Sequence, residues 1–167
     1  MKNNLRLFVL FFLPISLSSH EFWLQPNQFI YQRGEKINIR FRVSENLEEK
    51  NWTGTNQNLQ MLKHYFGKVS DDLSNGISLA PGDSLQWIME DEGTCLVACQ
   101  STNLYQELPA GKFNEYLKDY GLTEVADYRI QHNETDSAGR EYYQHCAKTL
   151  FQVGKIKDNT YAVITHL

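Results

Sequence analysis

The sequence predicts an α+β fold that is mainly β: a β-sandwich into which one helical hairpin is inserted. Apolar and polar residues alternate strictly from Lys36 to Val43, a period of two that is typical of a half-buried strand. Further apolar runs are separated by proline and glycine turn signals, as in a sandwich. Around residues 111–131 the apolar spacing changes to that of a helix. We therefore expect a single domain over residues 20–167.

The first nineteen residues have the features of a secretion signal. Lys2 and Arg6 give a positive start, and a mostly apolar run over residues 7–17 ends in small residues. That run is shorter than the roughly 20 apolar residues that span a bilayer. We therefore expect a cleaved signal peptide over residues 1–19, a periplasmic or secreted protein, and no membrane span after cleavage. Local chemistry allows cleavage before Ser19 or before His20.

The N-terminal half of the domain is predicted to consist of strands. A short aromatic-rich strand runs from Glu21 to Pro26, and the alternating strand follows a turn at Gly34. The polar segment 46–74 is expected to cross between sheets, with a short strand or helical turn near residues 59–66.

Strands return after this crossing, and the helical hairpin interrupts them. Turn signals at Pro81-Gly82 and Gly93 separate two apolar runs. Four residues at helical spacing predict the first helix of the hairpin, and Gly121 is expected to cap it: Phe113, Tyr116, Leu117 and Tyr120. Residues 140–154 fit either a helix or a strand. Residues 160–167 predict a final apolar strand.

Three cysteines are too few for a disulfide framework. Cys95 and Cys99 lie four residues apart in an apolar run that reads as a buried strand. Four residues along a strand is about 13 Å, which is too far for a disulfide. Either one of them pairs with Cys146, or all three thiols are free.

Composition and motifs exclude several classes of function. The formal net charge is −4, and removal of Lys2 and Arg6 makes the remainder more acidic, which argues against nucleic acid as a partner. The chain has no Gly-x-Ser-x-Gly elbow, no glycine-rich phosphate loop and no His-Glu-x-x-His pair. His145 and Cys146 are adjacent, but neighbours on a strand point to opposite faces. We therefore predict that the protein is not an enzyme.

His20 is the residue whose chemistry most favours metal binding. As the mature terminus it would offer its α-amine and Nδ1, two nitrogens that close a chelate ring on one ion. A second imidazole would complete a three-nitrogen site suited to copper(II) or nickel(II). We take His145 and His64 as the candidate partners, although no short ligand spacing connects these histidines. The alternative is that His20 merely begins an edge strand.

Three segments in this order resemble a bacterial periplasmic family of unknown function: "HEFWLQP", "YQELPAGKFNEYLKDYGL" and "REYYQHCAKTLFQVG". That family is grouped with the substrate-specific components of nickel-uptake systems. The resemblance implies an immunoglobulin-like or transthyretin-like β-sandwich, His20 as the mature terminus and a strand over residues 140–154. Members of the family continue into a second β-rich domain, whereas this sequence ends a dozen residues after "QVG".

Together these features predict a non-enzymatic binding module for a transition-metal ion, namely nickel, cobalt or copper, linked to metal uptake. The expected partners are the metal ion and either an inner-membrane metal transporter or a separate second β domain. The alternative is a metal-independent, immunoglobulin-like module of the cell envelope that binds a protein or a glycan.

Overall fold

The structure is a computed structural model, and it describes residues 21–45, 48–77, 80–82 and 84–158. The strand predicted over residues 160–167 lies outside this part of the chain. The described strands are β1 Glu21–Pro26, β2 Ile30–Tyr31, β3 Lys36–Glu45, β4 Glu48–Asn51, β5 Leu59–Phe66, β6 Val69–Asp72, β7 Ser84–Ile88, β8 Gly93–Ser101, β9 Leu104–Leu108, β10 Gly139–Tyr143 and β11 Cys146–Val153. The α-helices are α1 Ala110–Asp119 and α2 Thr123–Gln131, and short 3-10 turns occur at Asn56–Asn58 and Ser74–Gly76.

Two sheets form the sandwich, which confirms the predicted α+β, mainly β class. In the first sheet, β3 pairs with β1, β4 and β7. The second sheet has the order β2-β11-β8-β5-β6, and its strands pair antiparallel except for β2 with β11. The chain therefore crosses between sheets more than once, and the polar segment that precedes β5 makes one of these crossings.

The core lies between the two sheets and is built by alternation along their strands. On β3, Ile37 and Ile39 are fully buried, as the period-two pattern predicts. Facing them, β8 and β11 contribute Val97 and Phe151, and Phe151 makes an edge contact with Trp87 at a ring-centroid distance of 6.0 Å. Burial of each such side chain contributes about 1.5–3 kcal/mol, so this layer is the main source of stability.

A helical hairpin extends one end of the second sheet. The pairing of β8 with β11 ends at Gln100 and Cys146, and the chain continues as the paired strands β9 and β10. Helices α1 and α2 connect β9 to β10, and we call residues 104–143 the arm. Gly121 adopts a φ of 66° between the helices, as a glycine cap predicts. No helix in the described part of the chain is long and apolar enough to cross a membrane.

The arm has a small core of its own. Phe113 and Leu117 on α1 are buried, and Phe113 packs directly over Gly139 of β10. The Arg129 guanidinium lies 4.9 Å from the centroid of the Phe113 ring and donates to the Ser137 carbonyl at 2.6 Å. This buried charge is therefore satisfied, and it fastens α2 to the turn before β10.

The register of β8 with β11 resolves the cysteine alternatives: all three thiols are free. Ala147 pairs with Cys99, and Cys146 pairs with Gln100. Residues that pair directly share a face, so the exposed Cys146 lies on the face opposite to the buried Cys99. Burial raises the pKa of the Cys95 and Cys99 thiols to about 12.

We expect one fast-reacting thiol in the folded protein. A disulfide reagent at pH 8 modifies Cys146, whereas Cys95 and Cys99 react only after unfolding because they are buried and protonated. The Cys146→Ser variant serves as the control and loses the fast phase. A second fast thiol in the native protein would contradict this register.

A matched pair of glycine substitutions tests how the arm is packed. A Cβ at Gly139 would stand 2.0 Å from the Phe113 ring, so Gly139→Ala forces that ring to move. We expect the free energy of unfolding to fall by about 1–3 kcal/mol, as overpacking does elsewhere. Gly111 on α1 has open space around it, and Gly111→Ala is expected to be neutral or stabilising by up to about 1 kcal/mol. Denaturant titration measures both, and equal destabilisation would refute the packing.

Candidate functional site

A cleft of about 400 Å³ lies where the sandwich meets the arm, and we call it the arm cleft. Its walls come from the start of β1, the end of β3, α1, the β9–β10 pair and the link before β11. The lining residues are Glu21, Val43, Ser44, Gln106, Tyr116, Tyr120, Glu141, Tyr143, Gln144 and His145. No lysine or arginine is among them, so the described walls carry acidic and neutral groups only.

His145 lies at an interruption of the β8–β11 ladder. Beyond Cys146 regular pairing stops, and side chains make part of the hydrogen bonding there. The Ser101 amide donates to the His145 carbonyl at 2.9 Å, and the His145 amide donates to Ser101 Oγ at 2.9 Å. The Gln144 carboxamide donates to Gln60 at 2.9 Å and accepts from Gln100 at 3.1 Å. Such an interruption re-aims the side chains near it, as β-bulges do.

Aromatic rings hold the imidazole of His145 in place. It stacks on Phe22 of β1 with ring centroids 4.6 Å apart, and Tyr143 contacts it edge-on at 5.3 Å. Burial lowers the pKa of His145 below its ordinary value of 6.5. Among the described residues, no hydrogen bond reaches either ring nitrogen. A neutral imidazole with a free lone pair therefore faces the cleft.

Two carboxylates line the described part of the cleft, and they differ in their surroundings. Glu141 accepts a hydrogen bond from the Gln106 carboxamide and one from the Tyr116 hydroxyl. Burial raises the pKa of Tyr116 and of Tyr143, and the charge of Glu141 adds to both effects. Both hydroxyls therefore stay protonated near neutral pH. Glu21 is exposed at the start of β1.

The structure separates two of the three histidines that the sequence singles out, His145 and His64. His145 lines the arm cleft. His20 lies outside the described residues, but the residue that follows it in sequence, Glu21, lines the same cleft. His64 lies elsewhere: its Nε2 contacts Asp71 Oδ2 at 2.7 Å in a different cavity. His64 pairs with Val97 on β8. Val97 lies four residues, or about 13 Å, along that strand from Ser101, the residue that bonds the backbone of His145.

Sequence reasoning missed the carboxylate and the tyrosines of the arm. Glu141, Tyr116 and Gln106 converge only because the helices fold back over the β9–β10 pair. One signal was readable: Glu141 lies between the strand residues Arg140 and Tyr142 and faces inward. A carboxylate on an inward strand face is uncommon unless it has a partner or a function.

The described lining of the cleft combines one imidazole, two carboxylates and three tyrosine side chains. Cys146 is exposed, and as the next residue after His145 it points to the opposite side of the strand. No group of three or more histidine, cysteine or acidic side chains that could hold a metal ion occurs in the described ranges.

Comparison with known proteins identifies one family. The model for a domain of unknown function, DUF4198, matches residues 17–165, a range that includes every wall of the arm cleft. No curated protein and no solved structure matches the chain. The function must therefore be inferred from the chemistry of the cleft.

We expect His145 to reduce stability in acid. Its pKa in the folded state lies below the ordinary 6.5, so the unfolded state binds the proton first as pH falls. The contribution of His145 to the free energy of unfolding is complete at pH values above its unfolded-state pKa. It is lost as the pH falls toward its folded-state pKa. The loss of unfolding free energy between pH 7 and pH 5 is therefore larger in the wild type than in His145→Gln. Parallel pH profiles of the two proteins would contradict the assignment.

Proposed function

The chain belongs to the DUF4198 family, and we propose that it is an exported, non-enzymatic module that binds a transition-metal ion in the arm cleft. The ion is nickel(II), cobalt(II) or copper(II), and it is cargo for uptake. One observation carries this proposal: Glu21, the residue after His20, lines the same cleft as the neutral imidazole of His145. A processed N-terminus at His20 would begin one residue away from that cleft wall.

The donor chemistry supports a nitrogen-rich site. In this proposal, cleavage before His20 by signal peptidase frees an α-amine that chelates together with Nδ1 of the same residue. His145 contributes the second imidazole. Nitrogen donors of this kind suit copper(II) and nickel(II) better than calcium or magnesium, which prefer oxygen. His64 stays outside the site because its ring is engaged by Asp71.

The electrostatics of the cleft support a cation as the ligand. Glu21 and Glu141 contribute negative charge, and no basic side chain among the described lining residues offsets it. His145 is neutral near pH 7, so metal binding displaces no proton from this ring. A divalent ion therefore enters a site with favourable charge and an available lone pair.

The proposed partners follow from this role as a carrier. The metal ion passes from the arm cleft to an inner-membrane metal transporter or to a second β domain on another polypeptide. The resemblance to proteins grouped with nickel-uptake systems supports this direction of transfer.

A metal-independent interaction module is the second candidate, and one feature favours it. Tyr105 and Tyr142 pair across the arm on its outer face, with 51% and 74% of their surface exposed and ring centroids 5.3 Å apart. Exposed tyrosines of this kind dock proteins or sugars. Loss of partner binding in Tyr142→Ser, together with no response to metal, would favour this candidate.

Calorimetry on protein processed to His20 tests the metal proposal. We expect nickel(II) or copper(II) to bind at one equivalent, and one extra residue before His20 to weaken binding at least about tenfold, or 1.4 kcal/mol. His145→Ala is expected to weaken it similarly. His64→Ala is the control and leaves the affinity unchanged. Equal affinity with and without the N-terminal extension would remove His20 from the site, and no binding at all would overturn the proposal.

A further inference from the structure

A second cavity lies within the arm, where α1, α2 and the start of β10 meet, and we call it the α2 cavity. Its volume is about 460 Å³, which falls within the roughly 300–1,000 Å³ of small-molecule sites. It shares no lining residue with the arm cleft. The described lining includes Val125, Tyr128, Arg129, Glu134, Ser137 and Arg140.

Arg129 is held rigidly in the wall of this cavity, and only 6% of its surface is exposed. Its Nε donates to Asn114 Oδ1 at 3.2 Å, and its Nη2 donates to the Ser137 carbonyl at 2.6 Å. Asn114 donates to the Thr135 carbonyl at 2.8 Å, which fixes the orientation of the amide. Because the guanidinium is already ordered, it loses little conformational freedom when a ligand binds to it.

The charge of Arg129 has no anionic partner among the described residues. An arginine is always charged in proteins, but the neighbours of this one are an amide, a carbonyl and the Phe113 ring. Glu134 lines the same cavity, yet no carboxylate in the described ranges forms an ion pair with Arg129.

One nitrogen of the guanidinium is still available to a ligand. Nη1 of Arg129 makes no hydrogen bond in the described part of the chain, and it is not sealed off from solvent. The existing neighbours therefore stabilise the charge without neutralising it. An anion that reached Nη1 would gain a charge-assisted hydrogen bond, which is about twice as strong as a neutral one.

The rest of the wall favours an organic anion over an inorganic one. Val125 lies four residues before Arg129 on α2, so the two share a helix face. Val125 and Tyr128 leave 43% and 53% of their surface exposed, and this apolar area gains from contact with a hydrocarbon or aromatic group. The charged side chains of the described lining are two arginines and one glutamate, Arg129, Arg140 and Glu134. That balance suits a single carboxylate better than a multivalent anion.

We propose that the α2 cavity binds a small organic monocarboxylate. One carboxylate oxygen accepts from Nη1 of Arg129, and the apolar part of the ligand rests against Val125 and Tyr128. The planar guanidinium matches the planar carboxylate in shape as well as in charge. This site is independent of the proposed function. Since the described lining of the arm cleft carries only acidic and neutral groups, the two cavities select ligands of opposite charge.

Ligand-observed NMR with benzoate tests the site on the folded protein. We expect saturable binding that shifts the Nε–H resonance of Arg129. Benzamide has the same shape without the charge and is expected to bind at least about tenfold more weakly. Acetate lacks the apolar part and is also expected to bind at least about tenfold more weakly. Absence of saturable benzoate binding would overturn the site. Equal binding of benzamide would overturn the role of the carboxylate, and equal binding of acetate that of the apolar wall.

A pair of charge variants assigns the site without disturbing the bonds that hold Arg129. The Glu134 side chain makes no hydrogen bond among the described residues, so Glu134→Gln removes a negative charge from the wall and no contact. We expect benzoate to bind about two- to fivefold more tightly to this variant. Glu124→Gln is the matched control, because Glu124 is exposed on the same helix and outside the lining. Equal affinities in the two variants would place benzoate elsewhere and overturn the assignment.

Discussion

The antiparallel ladder between β8 and β11 is the interaction on which the rest of the molecule depends. Eight consecutive residue pairs join Gly93–Gln100 to Cys146–Val153. The inward side chains of these strands, among them Val97 and Phe151, form about a third of the sandwich core. The same two strands lead into β9 and β10 and therefore hold the arm. Sandwich and arm are thus parts of one long hairpin, and the position of the arm follows from the pairing register of the core.

The interruption of that ladder creates the cleft, and its cost is offset locally. Where backbone pairing stops, Ser101 bonds the backbone of His145 twice, and Gln144 bridges to β5 and β8. Because these polar groups are satisfied, the irregular link stays ordered without regular strand pairing. Stacking on Phe22 then fixes the imidazole against the first strand. An uninterrupted ladder would give a straighter hairpin, and the arm would not close over the start of β1.

The sequence predicts features that depend on local pattern and misses those that depend on register. The alternation of β3 and the helical spacing of the arm were readable because one face of each element is buried. Strands β4 and β6 were not, since all four residues of each are exposed and carry no alternation. Residues 140–154 do form strands, but the pattern did not predict the break between β10 and β11 at residues 144–145. The free state of the thiols and the role of Glu141 likewise required the three-dimensional pairing of distant strands.

The charge state of His145 shows which physical effect dominates in the cleft. Nearby carboxylates would favour a protonated ring, yet burial lowers its pKa. The carboxylate of Glu141 does little to favour a protonated ring, because it accepts hydrogen bonds from Gln106 and Tyr116. Protonation gives the imidazole a single positive charge, and the attraction of that charge to the carboxylates must offset the cost of its desolvation. A divalent ion gains about twice the Coulomb attraction to the same carboxylates and forms a coordinate bond as well. The cleft therefore keeps the imidazole of His145 neutral near pH 7, which is the state that the proposed function requires.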